Sequence, residues 1–449
     1  MRTTLAGLAF GAALCTGCLE AAPAPPPGFV ALFNGSDLAG WRGGGTYDHR
    51  ALMDLSGPQR AAKIAGWTRE LGEHWTVESE ELVNDGQGSF LTTQREYGDF
   101  ELVLEYKTVA KADSGVYLRG VPQVQIWDST DVSRFKVGAD KGSGGLWNNP
   151  LGSAGKDPLV KADKPFGEWN TLRVVMVGSR VSVWLNGEQT VDHAILENYF
   201  DAYSRDPEIR ANARPVPRFG PIQLQTHGGE IRWRNVFLRE IGGEEANRIL
   251  AAHGGVEGWR DLFNGKDLSG WGGVAESFEV VDGVLVCKAG KVGTLRSEEE
   301  FSDFKLRVEF KVPPGGNGGI ALRDSGVGVS AYEGMCEVQI LDETDPRHAG
   351  LDPRQACGSA YGMVAATGGY LRPSGHPSGE WNFEEVTVEG SKVRVELNGN
   401  VVLNTDLSKV SEFLGNKPHP GKERVRGFVG VTAYGDRVAF RSVRILPFR

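Results

Sequence analysis

Residues 32–41, LFNGSDLAGW, return 230 positions later as LFNGKDLSGW at 262–271, with eight identities. A repeat at that distance constrains the chain to two similar bodies, since a solenoid would repeat every 20 to 50 residues or so. Further pairs keep the same order. DSGVYLRG (113–120) matches NGGIALRD (317–324), and VQIWD (124–128) matches VQILD (338–342). GEWN stands at 167–170 and 379–382, and LNG at 185–187 and 397–399. A length of 449 residues accommodates two domains of the common size, roughly 100 to 200 residues, each able to bury its own core.

The repeats place the first domain at 28–241 and the second at 259–449, with a connector at 242–258. The stretch 240–258, EIGGEEANRILAAHGGVEG, reads as a short helix between glycine pairs, which suits either a hinge or a fixed spacer. Residues 1–27 read as a targeting segment, because Arg2 precedes an apolar run at 5–14 that is too short to span a bilayer. Cys18 in LCTGC resembles a lipobox acceptor, with cleavage near Ala22 or Ala24 as the alternative, and AAPAPPPG then forms an extended spacer. The expectation is an exported bacterial protein, periplasmic or held at a membrane by a lipid on Cys18. A net charge of -9 offers no basic footprint, so neither nucleic acid nor an anionic membrane surface is expected as a partner. Cys287, Cys336 and Cys357 remain outside the leader. In an exported protein Cys336 and Cys357 could pair, and buried free thiols are the other reading. No spacing suggests zinc.

With 62 glycines, 22 prolines and many short β-branched runs, the chain reads as strands joined by turns. ELVLEYKTV (101–109) and KLRVEFKV (305–312) alternate polar and apolar residues, as half-buried antiparallel strands do. Two packed antiparallel sheets per copy follow, an all-β sandwich or jelly roll. One helix is expected in an insertion at 43–74 that the second copy lacks. Ser56 would cap it, Pro58 suits its first turn, and Ala61, Ile64, Trp67 and Leu71 share a face.

Residues i and i+2 of a strand share a face, which turns alternation into a search for a site. Tyr117 and Arg119 fall together, as do Gln123, Gln125 and Trp127, and Gln223, Gln225 and His227. Amides and arginine hydrogen-bond hydroxyls while an indole covers an apolar ring face, so the combination suits a carbohydrate. The outer face of any sandwich is polar, but a solvated face normally carries Lys, Glu and Thr. Asp128 closes its strand, where a carboxylate either caps a turn or lines a cleft rim.

Together, LFNG-DL-GW, DSGVYLRG, VQIWD, GEWN, LNG and GPIQLQTHGGEIRWRNVFLRE (220–240) resemble the 3-keto-disaccharide hydrolase domain family, DUF1080. The resemblance is strong over 28–241 and looser over 259–449. It implies tandem concanavalin A-like jelly rolls and cleavage of glycosides already oxidised to a ketone at C3. Such a ketone acidifies the C2 proton, so a general base and donors to an enolate oxygen would suffice. His227 or Asp128 could be the base, with Arg119 and Gln125 or Gln225 at the enolate. A divalent metal bound by His227 and Asp128 could also polarise the ketone. Jelly-roll glucanases carry Glu-x-Asp-x-x-Glu. Here the strand reads Gln123-Val-Gln125-Ile-Trp-Asp128, which counts against that chemistry.

In the second copy Arg323, Gln339 and Asp342 match Arg119, Gln125 and Asp128, whereas Tyr434 faces His227 and Glu337 faces Gln123. If His227 is essential, the second module binds only. If a Glu337 and Asp342 pair is the base, it could still act. An enzyme of 3-keto-glycosides, by elimination or net hydrolysis, and a non-catalytic lectin-like protein both fit, because fold does not fix function. A surface adhesion module is a third possibility.

Overall fold

The computed structural model describes residues 24–255, 257–372 and 380–448. The leader with Cys18 lies outside them, as does Gly379 of the second GEWN. Among the described residues no helix is long and apolar enough to cross a membrane.

Each half is a β-sandwich of jelly-roll type, an eight-stranded antiparallel sheet packed on a five-stranded one. In the first half the smaller sheet comprises β1 (Trp41–Gly44), β2 (Phe90–Thr93), β3 (Asp113–Leu118), β4 (Val121–Trp127) and β5 (Gln223–Leu224), ordered β1-β2-β5-β3-β4. In the second half β6 (Trp271–Gly273), β7 (Val292–Phe301), β8 (Asn317–Asp324), β9 (Cys336–Leu341) and β10 (Gly427–Tyr434) follow the equivalent order β6-β7-β10-β8-β9. Alternation places one set of side chains in each core. Val124 and Ile126 meet Leu102, Leu104 and Val174 in the first, and Val338 and Ile340 meet Leu306, Val308 and Val386 in the second.

The repeated decapeptide is a structural clasp. Asn34 Oδ1 accepts from the backbone N–H of Ser36 and Asp37, and Asn264 Oδ1 does so from Lys266 and Asp267. Downstream, Trp41 Nε1 donates to the Leu32 carbonyl at 2.8 Å, and Trp271 Nε1 to that of Leu262 at 2.8 Å. Each indole is buried, so its one donor is met inside the fold.

The insertion folds as helices, the longest being Gly57–Arg69. Gln59 Oε1 accepts from the N–H and hydroxyl of Ser56, and Pro58 lies in the first turn as expected. Its apolar stripe departs from expectation. Ala61 is exposed, Ile64 and Trp67 are half-buried, and the buried Leu71 belongs to the next short helix. The helix lies over the β1 edge, where Gly43 N donates to Thr68 Oγ1 at 3.0 Å, so the stripe covers an edge rather than entering a core.

The connector helix Gly243–Ala252 is a fixed spacer. Its Ala246 and Leu250 bury against Val175 and Val177 of the first sandwich and Phe383 of the second. Beside it Arg180 makes a bidentate pair with Glu396, Nε to Oε1 at 2.8 Å and Nη2 to Oε2 at 2.6 Å. The turn at Gly178 presses so close to the turn at Asn398 that a Cβ on Gly178 would lie 2.2 Å from the Asn398 carbonyl oxygen.

The expected Cys336–Cys357 bond is not formed. Both thiols and that of Cys287 are buried and free in the second core. Burial pushes the Cys287 and Cys336 thiols up to about 12, so they remain protonated small hydrophobes.

Candidate functional site

A pocket of about 330 Å³ opens on the small sheet of the first module. Tyr117 of β3, Gln123, Gln125 and Trp127 of β4, and Gln225 and His227 after β5 line it. The pairing that brings them together is antiparallel, with Gln223 beside Tyr117 and Gly115 beside Gln125. Gly115 is required there, since a Cβ would lie 2.8 Å from Gln123 Oε1. A loop and the neighbouring strand β2 supply further walls. Trp147 meets Trp127 edge-on at 6.0 Å, and Phe90 meets Tyr117 edge-on at 5.3 Å.

At the centre stands Asp113, the first residue of β3. Its Oδ2 accepts from His227 Nδ1 at 2.9 Å and from Arg134 Nη1, and its Oδ1 accepts from Gln125 Nε2 at 2.8 Å. The side chain is only 7% exposed, whereas His227 is 57% exposed and faces the opening. The hydrogen bond to Asp113 holds the imidazole above its usual range, opposed by partial burial and by Arg134. Because a carboxylate only accepts, the shared proton sits on Nδ1 and Nε2 presents a lone pair to the pocket. Gln123 donates to Gln125 Oε1, which orders the amides into a chain ending at Asp113. Two buried acceptors, Gln123 Oε1 and Gln225 Oε1, have no partner among the described residues. Buried oxygens of this kind are usually satisfied, so a bound donor is the natural partner. Tyr117 shares a 2.8 Å hydrogen bond with Thr46, and burial pushes its phenol up to about 12, keeping the hydroxyl protonated.

Three expected residues lie elsewhere. Arg119 is not on the pocket face, because it and Gly120 both have positive φ (54° and 75°) between Leu118 and Val121. A two-residue turn of that kind ends the period-2 alternation. Its buried guanidinium donates to the carbonyls of Gly98 and Pro217 and to Asp99 Oδ1 at 2.8 Å. Asp128 is a turn cap: Oδ2 accepts from Lys111 N and Oδ1 from Thr130 N and Oγ1. Burial raises its pKa, but those hydrogen bonds outweigh it and hold the carboxyl below its ordinary range, a poor base. Gln223 donates to Thr92 Oγ1 at 3.0 Å, on the β2 side of the sheet and outside the pocket. The expected metal ligands His227 and Asp128 are therefore not brought together. Among the described residues no group of three or more His, Cys, Asp or Glu is placed to hold a metal ion.

Asp113, Arg134, Trp147 and Tyr199 escaped the sequence reading. Asp113 had a signal, since it continues the Tyr117 face by two steps of two. Trp147 comes from a loop, and Arg134 and Tyr199 come from the short helical segments Val132–Val137 and Tyr199–Ala202, where no strand periodicity marks them.

In the second module the architectural contacts recur. Arg323 donates to the Ser302, Gly390 and Arg424 carbonyls and to Asp303, and Asp342 accepts from Gly315 N and Thr344. Gln339 Nε2 donates to Asn317 Oδ1, Gly318 O and Ile340 O, as Gln125 does to Asp113, Ser114 and Ile126. The chemistry differs. Asn317 stands for Asp113, and Tyr434 stands for His227 and donates to the Glu337 carboxyl at 2.8–3.0 Å. Burial pushes Glu337 up to about 7, against the hydrogen bonds of Tyr434 and Thr432. Glu337 and Asp342 form no accessible pair, since one is enclosed and the other caps a turn.

Two segments, residues 28–239 and 258–446, match the family model described as a 3-keto-alpha-glucoside-1,2-lyase-like domain. A protein of Bacteroides thetaiotaomicron named 3-keto-disaccharide hydrolase is 28% identical over 231 residues, covering 42% of this chain and 78% of its own. A solved Parabacteroides distasonis structure, provisionally described as a glycosyl hydrolase, is 26% identical with a TM-score of 0.37, covering 42% of this chain and 99% of its own. A carbohydrate-binding module from Bacillus subtilis is 12% identical with a TM-score of 0.26, covering 39% of this chain and 94% of its own. Carrying the family's domain in both halves, the chain belongs to the family of 3-keto-alpha-glucoside-1,2-lyase-like domains.

Proposed function

We propose that the first module binds a glycoside carrying a ketone at C3 and releases its C1 substituent after proton abstraction at C2. The observation that carries this is the Asp113–His227 pair within a pocket walled by amides and aromatic rings. His227 Nε2 takes the C2 proton, and the electron pair of that bond moves onto the C3 carbonyl as an enolate. When the enolate collapses, the C1–O bond breaks and its electron pair leaves with the departing oxygen, which takes a proton from His227 or water. The product is a 1,2-unsaturated 3-keto sugar, and water adding across that bond gives net hydrolysis. Arg134 and the Tyr117 hydroxyl are the pocket's cation and neutral donor for the enolate oxygen. Trp127 and Trp147 suit a sugar ring face, and the unpartnered oxygens of Gln123 and Gln225 suit its hydroxyls. The family and a relative named for 3-keto-disaccharide hydrolysis support the substrate class.

The test is incubation of a 3-keto-disaccharide with the intact protein and with His227→Ala. Turnover lost in the variant while sugar binding persists supports an enzyme. Binding without turnover by either protein supports the lectin-like alternative. Export with a lipid on Cys18 belongs to the same proposal, and Cys18→Ser should then move the protein from the membrane to the soluble fraction.

A further inference from the structure

The second module has its own pocket, about 320 Å³, at the equivalent place on the small sheet. Asn317, Gln339 and Tyr434 line it from β8, β9 and β10, Tyr332 comes from the short helix Ser330–Glu333, and Tyr361 comes from a turn. Tyr332 is held in place by the Lys417 ammonium 3.5 Å from its ring centroid and by an edge contact with Tyr361 at 6.2 Å. The side chains that put charge into the first pocket are all exchanged. Arg134, three residues after its helix cap Asp131, corresponds to His348, three after Asp345. His348 Nε2–H is spent on the Gly315 carbonyl at 3.0 Å, whereas His227 Nδ1 is held by the Asp113 carboxylate. Neither Asp, Glu, Arg nor Lys is among the described residues lining this pocket. The nearby Glu337 lies behind Tyr434 and is fully buried.

We propose that this pocket is a second carbohydrate site, which holds a neutral, unoxidised sugar without cleaving it. Three tyrosines and Leu341 and Leu351 give ring-stacking and apolar surface, while Asn317, Gln339 and Gln355 provide amides. An uncharged wall matches a hydroxylated ring that develops no charge. A base held by Asp113 and the Arg134 cation would serve only a substrate that does. The proposal rests on the reading that the equivalent first pocket takes a sugar, yet its test does not depend on turnover.

Binding of maltose, an unoxidised disaccharide, to the full chain is measured by calorimetry and by saturation-transfer NMR. In His227→Ala/Gln125→Ala, which disables the first pocket, maltose binding should persist. In Tyr361→Ala it should weaken at least tenfold, while turnover of a 3-keto-disaccharide stays within twofold of the parent. Gln355→Ala, a smaller change whose unfolding midpoint confirms the fold, should weaken maltose binding in the same direction. Loss of maltose binding in the first-pocket variant, or no effect of either second-pocket variant, overturns the proposal. So does turnover that survives His227→Ala and vanishes on adding His348→Ala, because the second site would then cleave. If the wild type shows no turnover, the proposed activity of the first module fails and the maltose arms still decide this one.

Discussion

The two small sheets carry equivalent strands in an equivalent order, and they diverge at only a few positions that matter to chemistry. Trp41 and Trp271 donate to equivalent carbonyls, Arg119 and Arg323 clamp equivalent corners, and Asp128 and Asp342 cap equivalent turns. Against that background, Asp113, His227 and Arg134 become Asn317, Tyr434 and His348. Duplication thus supplies an internal control. A polar side chain with the same partners in both copies holds the fold, and one whose partners change is free to serve a ligand.

The comparison breaks most readily at the imidazole. His227→Ala should lower kcat/KM for a 3-keto-glycoside by about 10²- to 10⁴-fold, whereas Tyr434→Phe should leave it unchanged. Equal losses would mean that both pockets are catalytic. The pH profile sharpens the same contrast. A base acts unprotonated, and Asp113 raises the imidazole pKa, so activity should fall as pH drops through a value above the usual 6.5. Asp113→Asn, which copies Asn317, should move that inflection downward and reduce the rate.

The clamps come next. Arg119→Ala should cost about 3 kcal/mol or more, because it strands buried carbonyls and Asp99. Arg323→Ala should cost less, since Asp303 is 44% exposed and Asp99 only 19%. Denaturant unfolding of each variant checks the order.

A mismatch in the second core gives a change of opposite sign. Glu384 occupies the position of Leu172, fully buried, with neither carboxyl oxygen partnered among the described residues and its pKa pushed up to about 8 by burial. Glu384→Leu should stabilise the second module by about 1 to 4 kcal/mol. Between the ordinary 4.5 and about 8, the folded form keeps a proton that the unfolded form has lost. Stability therefore falls as pH rises across that window, and the leucine variant should lose much of this slope. Smallest of all, Trp41→Phe and Trp271→Phe should each cost about 1 kcal/mol for the lost hydrogen bond, and by equal amounts.

What the sequence disclosed follows from what strands enforce. Period-2 alternation placed Tyr117, Gln123, Gln125 and Trp127 on one wall, because pleating leaves no choice where the ladder is regular. It failed at Arg119, where two residues of positive φ turn the chain, and at Gln223, whose neighbour Thr92 draws the amide away. Asp128 illustrates a signal with two meanings. A carboxylate followed by Ser129 and Thr130 is a turn cap as readily as a rim acid, and only the N–H groups around it decide. Arg134, Trp147 and Tyr199 reach the pocket from two short helical turns and a loop outside the sheet, whose paths depend on tertiary packing. The insertion helix was legible through its cap but not its environment, since an apolar stripe does not say whether it meets a core or an edge.

The junction at Gly178 and Asn398 joins unlike surfaces of two like bodies. Its counterparts by repeat, the turn at Gly390 and the turn at Gly187, both stay open, with no described residue within 4 Å of where a Cβ would stand. A head-to-tail joint of this kind does not close on itself, unlike a two-fold dimer in which each surface meets its own copy. Among the described residues, the turns at Gly390 and Gly187 are the unused halves of that joint, one on each module.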